Sequence, residues 1–234
     1  MDLSKIKQFK KGAFLGLPIA LGYLPVSFAF GIKAAASGIA PIWAIIISMT
    51  NLTSAGQVAA VDIIGAVGTY AEIALTTLVI NARYMLMSIS LTQKMREFSM
   101  SKKLITAFGV TDEIFAVSST HVGELTFPLM MGLIAVPYVG WALGTTLGAF
   151  AGGLLPDFLA KAMEISLYAM FIAIIVPAVK KDIKVVFALG LAVAISAVMY
   201  FLTPFISSGW VIIIAAISAS ALGATFFPRK EEDE

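Results

Sequence analysis

The stretch Pro41-Ile42-Trp43-Ala44-Ile45-Ile46-Ile47-Ser48-Met49-Thr50 runs into Asn51-Leu52-Thr53-Ser54-Ala55-Gly56-Gln57, and then into an apolar flank from Val58 to Tyr70. A bilayer core about 30 Å thick takes roughly 20 helical residues to cross, and each flank is shorter than that. The flanks therefore read as two half-helices meeting at an unwound polar turn. Unwound backbone at membrane depth needs its N–H and C=O groups met by protein or by a water-filled cavity. Transporters place their substrate at such breaks. On this ground Asn51, Thr53, Ser54, Gly56 and Gln57 are candidate substrate-binding residues. Asp62, an acid set among Val, Ala, Ile and Gly just beyond the break, is a candidate proton or ion site.

Outward from this stretch the chain stays apolar. Of 234 residues, 59% are hydrophobic and 13% charged, against about 25% charged in soluble domains, and the mean hydropathy is +0.95. That is the composition of an all-α polytopic membrane protein. One transmembrane transport domain, 1–234, accounts for the length, because the long polar stretches are a basic N-terminus (1–11), Thr92 to Lys103, and a charged tail (228–234). Cysteine is absent, which removes disulfides, thiol nucleophiles and thiolate metal sites. Four lysines ahead of an apolar run imitate a secretory signal. Gly12 to Ile32 is, however, longer than the roughly 7–15 residues of a signal's apolar region and holds Pro18 and Pro25, so it is read as the first spanning helix.

That first segment carries Gly16, Gly22 and Gly31 beside its two prolines, and Tyr23 and Ser27 are its polar groups. Its kinks read equally as packing or as a cavity wall, with Tyr23 a candidate substrate contact. In the next segment, Ala71 to Leu91, helical spacing puts Glu72, Thr76, Val79 and Arg83 on one face and Asn81, Tyr84 and Ser88 on another. Asn81 is a candidate substrate contact, and Arg83 is expected to point elsewhere. Arg83 lies about 13 Å from the nearest polar loop, too deep to snorkel, so it needs an acidic or carbonyl partner. Leu104 to Thr120 repeats the opening pattern, with Thr111-Asp112-Glu113 as its expected break. Thr111 joins the candidate binding residues. Asp62, Arg83, Asp112 and Glu113 form the candidate set for an ion pair and for proton coupling, desolvation raising a buried acid's proton affinity toward the working pH. His121 reads as a loop residue.

Gly140, Gly144, Gly148 and Gly152 recur every four residues and form one smooth ridge on a helix. Such ridges let helices approach closely in lipid, and alanine is expected to serve there as well as glycine. With spans at 12–32, 71–91, 127–155, 163–179, 185–202 and 209–227, and both broken segments re-entrant, thirteen Lys and Arg fall on one side and only Lys33 and Lys161 on the other; the sixteenth basic residue is Arg83. The positive-inside rule then puts both termini in the cytoplasm. The fold expected is about six spanning helices with two re-entrant half-helix segments. The local match of Gln57–Val61 to Glu113–Val117 suggests an inverted repeat, and a seven-span arrangement, with one break crossing fully, is the competing topology.

Taken in order, Gly16-Leu17-Pro18-Ile19, Gly22-Tyr23-Leu24-Pro25-Val26, Ser54-Ala55-Gly56-Gln57, Asn81-Ala82-Arg83-Tyr84 and Thr111-Asp112-Glu113-Ile114-Phe115 resemble the AzlC family of branched-chain amino acid permeases over the whole chain. The resemblance implies export of leucine, isoleucine, valine or similar amino acids across a prokaryotic cytoplasmic membrane. It also implies a small, separately encoded AzlD-type membrane partner. From the residues alone, a secondary transporter, proton-driven, is the leading reading, with free N–H groups at the half-helix ends offered to the substrate carboxylate. There is no P-loop, no His-Glu-x-x-His, no Gly-x-Ser-x-Gly and a single histidine, so an enzyme is disfavoured and neither cofactor, metal nor nucleic acid is expected. A structural or regulatory subunit of a larger transport complex is the alternative; the glycine ridge suits it and the membrane-embedded acids do not.

Overall fold

The computed structural model describes residues 3–151 and 182–227 and only isolated positions between them. Its elements are α1 (Leu3–Ala36), α2 (Pro41–Thr50), α3 (Ala55–Gly65), α4 (Tyr70–Lys94), α5 (Met100–Phe108), α6 (Asp112–Thr120), α7 (Phe127–Ala151), α8 (Ile183–Leu202) and α9 (Ser208–Phe226). Among the described residues five helices, α1, α4, α7, α8 and α9, are long and apolar enough to cross a membrane. This is an all-α multi-pass membrane protein. The expected span at 163–179 and the tail at 228–234 lie outside the described residues. By contact the chain divides into two compact units, Met1–Val58 with Asn81–Leu167, and Ala59–Ile80 with Tyr168–Glu234.

In the first unit α1 and α7 pack backbone against backbone. A Cβ on Gly12 or Gly16 would collide with the Leu129 or Leu133 carbonyl, and one on Gly140, Gly144 or Gly148 would meet Ala20, Leu24 or Phe28 backbone. The contact numbers rise together along both helices, so α1 and α7 run parallel. The ridge therefore faces α1, and the expectation that alanine suffices fails. At Gly144 even a methyl would overlap Ser27 Oγ and the Leu24 carbonyl oxygen, and at Gly148 the Phe28 carbonyl oxygen. Gly152 lies outside the described residues. The reason is that the helices touch through main-chain atoms, which cannot rotate aside.

The direction of α4 in the first unit bears on the second broken segment. Its C-terminal end reaches the N-terminal end of α7: Lys94 Nζ donates to the Ser119 carbonyl, and Leu91, Met95 and Phe98 pack with Leu125 and Leu129. Helix α4 is thus antiparallel to α1 and α7. Within the first unit the chain from 95 to 126 leaves and returns at one end of α1 and α7. At 1.5 Å per residue, α2 and α3 are each about 15 Å long, half the hydrocarbon thickness, so neither pair can cross twice. The second broken segment, which lies wholly in the first unit, therefore enters and leaves on one side. A long helix followed by two short helices occurs twice along the chain, α1 with α2 and α3, and α4 with α5 and α6.

Local sequence sets each break. Pro41 sits in the first turn of α2, where its missing N–H costs nothing. The α2 end is held by Ser48, whose hydroxyl shares a 2.6 Å bond with Thr145, both fully buried, and by Tyr138, which donates to the Met49 carbonyl at 2.9 Å. Leu52 then packs with Tyr23 and Trp141 at the middle of α1. The second break falls at 109–111 rather than on Thr111-Asp112-Glu113. Thr111 caps α6, accepting from the Ile114 N–H at 3.4 Å, and Asp112 and Glu113 occupy its first turn, where carboxylates complement the helix dipole. At the other end of α6, burial and the nearby Lys11 and Lys94 hold the His121 imidazole below its usual range.

In the second unit α8 and α9 are joined through 203–207 and run antiparallel, Phe187 stacking edge-on against Phe226 and Phe227 with centroids 5.6 and 5.4 Å apart. No residue of α8 is buried by the chain itself, as suits a helix of such apolar composition facing lipid.

Candidate functional site

The two breaks meet in the first unit at the level of Tyr23. Around the first break, Thr53 Oγ1 donates to Asn51 Oδ1 at 2.8 Å. Ser54 adopts φ +47°, a left-handed conformation that L residues rarely take outside turns. Ser54-Ala55-Gly56-Gln57 has the spacing of a capping box, and half of one forms: the Ser54 N–H donates to Gln57 Oε1 at 3.3 Å. The other half does not, since Ser54 Oγ has no hydrogen-bond partner among the described residues. Gly56 lets Asn81 approach closely; a Cβ there would lie 2.7 Å from Thr53 Oγ1 and 2.9 Å from both Asn81 amide atoms. Gln57 is fully buried.

Around the second break, Tyr23 Oη lies 2.6 Å from Thr111 Oγ1 and 2.5 Å from Glu113 Oε2. A phenol has one hydrogen, which goes to the carboxylate, so the Thr111 hydroxyl completes the pair by donating to Tyr23. The Tyr23 ring is held edge-on by Trp141, centroids 5.2 Å apart. Arg83 Nη2 pairs with Asp112 Oδ2 at 3.0 Å and donates to Tyr84 Oη at 3.3 Å, the guanidinium lying 5.1 Å from the Tyr84 ring centre. Tyr84 in turn donates to the Thr53 carbonyl at 3.4 Å. Arg83 and Tyr84 thereby tie one break to the other.

Four side-chain atoms at this junction, Ser54 Oγ, Gln57 Nε2, Asn81 Oδ1 and Arg83 Nε, are buried without a hydrogen-bond partner among the described residues. Each such group costs about 1–3 kcal/mol, so their concentration at one place calls for something that bonds them in use. They comprise two donors' positions, an acceptor and a hydroxyl. The half-helix ends differ as well: α6 supplies its own acids to its positive end, whereas α3 has none in its first turn. A carboxylate is therefore favoured at α3 and a cation beside the acids of α6.

Residues 18–155, more than half of the chain and including Tyr23, both breaks and α4 through α7, match the family described as AzlC protein. The chain belongs to the AzlC family. It is 31% identical over 185 residues to an uncharacterised membrane protein of Archaeoglobus fulgidus, covering 76% of this chain and 80% of that protein. It is 29% identical over 224 residues to the inner membrane protein YgaZ of Escherichia coli, covering 92% and 89%. It is also 29% identical over 192 residues to the branched-chain amino acid transport protein AzlC of Bacillus subtilis, covering 79% and 74%. No solved structure matches it.

In this AzlC-family chain the expectation that Asn81 and Arg83 face different spaces does not hold. Both lie against the breaks, Asn81 beside Gly56 and Arg83, folded over Tyr84, against Asp112. Asp62 belongs to α3 in the second unit. Two residues were missed as site components: Tyr84, which links the breaks, and Trp141, 3% exposed. A sequence signal existed for Tyr84 in its place beside Arg83. Trp141 looked like any aromatic on a packing helix.

Proposed function

We propose that this chain is a secondary transporter that exports branched-chain or similar amino acids across the cytoplasmic membrane, coupled to protons, with both termini cytoplasmic. The substrate carboxylate sits at the α3 N-terminus with Ser54 and Gln57, among Asn51, Thr53, Gly56 and Asn81. Its ammonium sits toward Glu113 and Asp112, with Tyr23 and Thr111 fixing Glu113. The observation that carries the reading is the group of buried polar atoms, unpartnered among the described residues, where the two breaks meet, a place where a zwitterion would find donors and acceptors together. The Bacillus subtilis relative's name supplies the substrate class. Asp62 is the first candidate for the coupling carboxylate and Asp112 the second, and a small AzlD-type membrane protein is the expected partner. A purely structural subunit would have no use for those unpartnered groups.

The test is flux in proteoliposomes, measured as counterflow of leucine, isoleucine and valine beside accumulation driven by an imposed pH gradient. Wild-type protein should show both. Asp62→Asn and Asp112→Asn should lose gradient-driven accumulation, and Ser54→Ala and Gln57→Leu should lose counterflow. Absence of counterflow for any amino acid in the wild type, with or without a partner subunit, would overturn the reading. Undiminished accumulation in both Asn variants would leave a transporter without proton coupling through these acids.

A further inference from the structure

Glu72, in the first turn of α4, is 3% exposed and is the one acid buried to that degree among the described residues. Within the second unit its Oε1 accepts from the Ser207 hydroxyl and from the Gly209 N–H at 3.1 Å. One turn on, fully buried Thr76 donates to the Gly209 carbonyl at 3.3 Å. Two glycines make room for the carboxylate: a Cβ on Gly209 would come within 2.5 Å of Oε1 and 2.6 Å of Cγ, and one on Gly68 within 3.0 Å of Oε2. Ser207, the residue in the cap position of α9, makes no cap of its own. The acid from α4 takes that place at the positive end of α9, 135 positions away.

We propose that Glu72 is a proton-binding residue whose charge state holds or frees the start of α9, and that its protonation accompanies transport; this rests on the transport reading above. As an anion Glu72 satisfies two donors and the helix dipole. A proton arriving from water and bound to the carboxylate removes the charge on which that cap depends, and its departure restores it, with no other bond made or broken. The charged or titratable groups on the elements around Glu72 are few: Asp62 on α3, Tyr70, Arg83, Tyr84 and Lys94 on its own helix, and none on α9 or on 66–69 and 203–207.

The experiment uses the full chain reconstituted in lipid, with pH-difference infrared spectra and flux measured on the same samples. The wild type should gain a protonated-carboxyl C=O band on acidification that Glu72→Gln lacks. A pH gradient of about one unit should drive about tenfold accumulation per coupled proton in the wild type and none in Glu72→Gln, in which counterflow persists. Ser207→Ala, which keeps the carboxylate but removes a donor to its anion, should move the pH midpoint of both the band and the flux upward. Retention of the band or of accumulation in Glu72→Gln refutes the proposal. If Glu72→Gln does not fold, an unmoved midpoint in Ser207→Ala refutes it instead. The infrared band is independent of flux, so a wild type that carries no amino acid sinks the transport reading while the band still decides whether Glu72 binds a proton.

Discussion

Arg83 Nη2 lies 3.0 Å from Asp112 Oδ2, joining the middle of a spanning helix to the first residue of a half-helix. An unpaired charge at bilayer centre costs at least about 2.5–3.5 kcal/mol. Asp112→Asn alone should therefore lower the yield of monodisperse protein, and adding Arg83→Gln should restore the yield without restoring gradient-driven flux. Size-exclusion profiles of the two variants check this; a single Asn variant that elutes and yields like the wild type would show that Arg83 does not depend on Asp112.

Tyr23 holds Glu113 and Thr111 through one hydroxyl while its ring rests on Trp141. Tyr23→Phe keeps the ring and removes the oxygen. Loss of a hydrogen bond to a charged group, about 1.5 kcal/mol or more, corresponds to about a tenfold weaker apparent affinity for the transported amino acid. Thermal stability in detergent should barely change. Wild-type affinity in this variant would place the Tyr23–Glu113 pair outside the binding machinery.

The α1–α7 interlock makes a graded prediction. Gly144→Ala and Gly148→Ala should each destabilise by about 1–3 kcal/mol, the usual cost of overpacking, because their new methyls meet main-chain atoms. Gly22→Ala, which meets nothing within 4 Å, should be neutral or slightly stabilising through helix propensity. Unfolding in mixed micelles measures all three, and equal stability of Gly22→Ala and Gly148→Ala variants would contradict the close approach.

At the end of α3, Val67 adopts φ +57° while Gly68 N–H bonds the Ile63 carbonyl at 2.8 Å and Val67 N–H bonds that of Ile64 at 3.0 Å. This is a Schellman motif whose left-handed position holds a β-branched residue instead of glycine. Val67 is 91% exposed, so little packing is lost on trimming it. Val67→Gly should stabilise by about 1 kcal/mol, the order of the left-handed penalty for an L residue. A melting temperature at or below that of the wild type would contradict it.

The directions of α1, α4 and α7 place Ser4 and Ser101 at one end of the first unit and Ala40 at the other. Ser4→Cys and Ser101→Cys should react with an impermeant thiol reagent from the cytoplasm only, and Ala40→Cys from outside only; the absence of native cysteine makes the labelling unambiguous. Opposite sidedness for Ser4→Cys and Ser101→Cys would break the antiparallel relation of α1 and α4.

What the sequence determined by itself was where helices stop. A polar run such as Asn51 to Ser54 inside an apolar segment leaves backbone groups that lipid cannot satisfy, so the break is written locally, and α2 begins at Pro41 and ends at Thr50 for local reasons. The family, too, was legible in short motifs around these breaks. Partners were not. Helical period assigns Glu72, Asn81 and Arg83 to faces of α4 but says nothing about what those faces meet, and three acids competed for Arg83. Tertiary structure decided that Asp112 takes it, that the glycine ridge meets the backbone of α1 closely enough to forbid alanine, and that Glu72 caps a helix 135 positions away. The physical reason is that between membrane helices there is little hydrophobic gain to read from composition. Main-chain fit and single polar bonds select the neighbour, and those exist only once the helices are side by side.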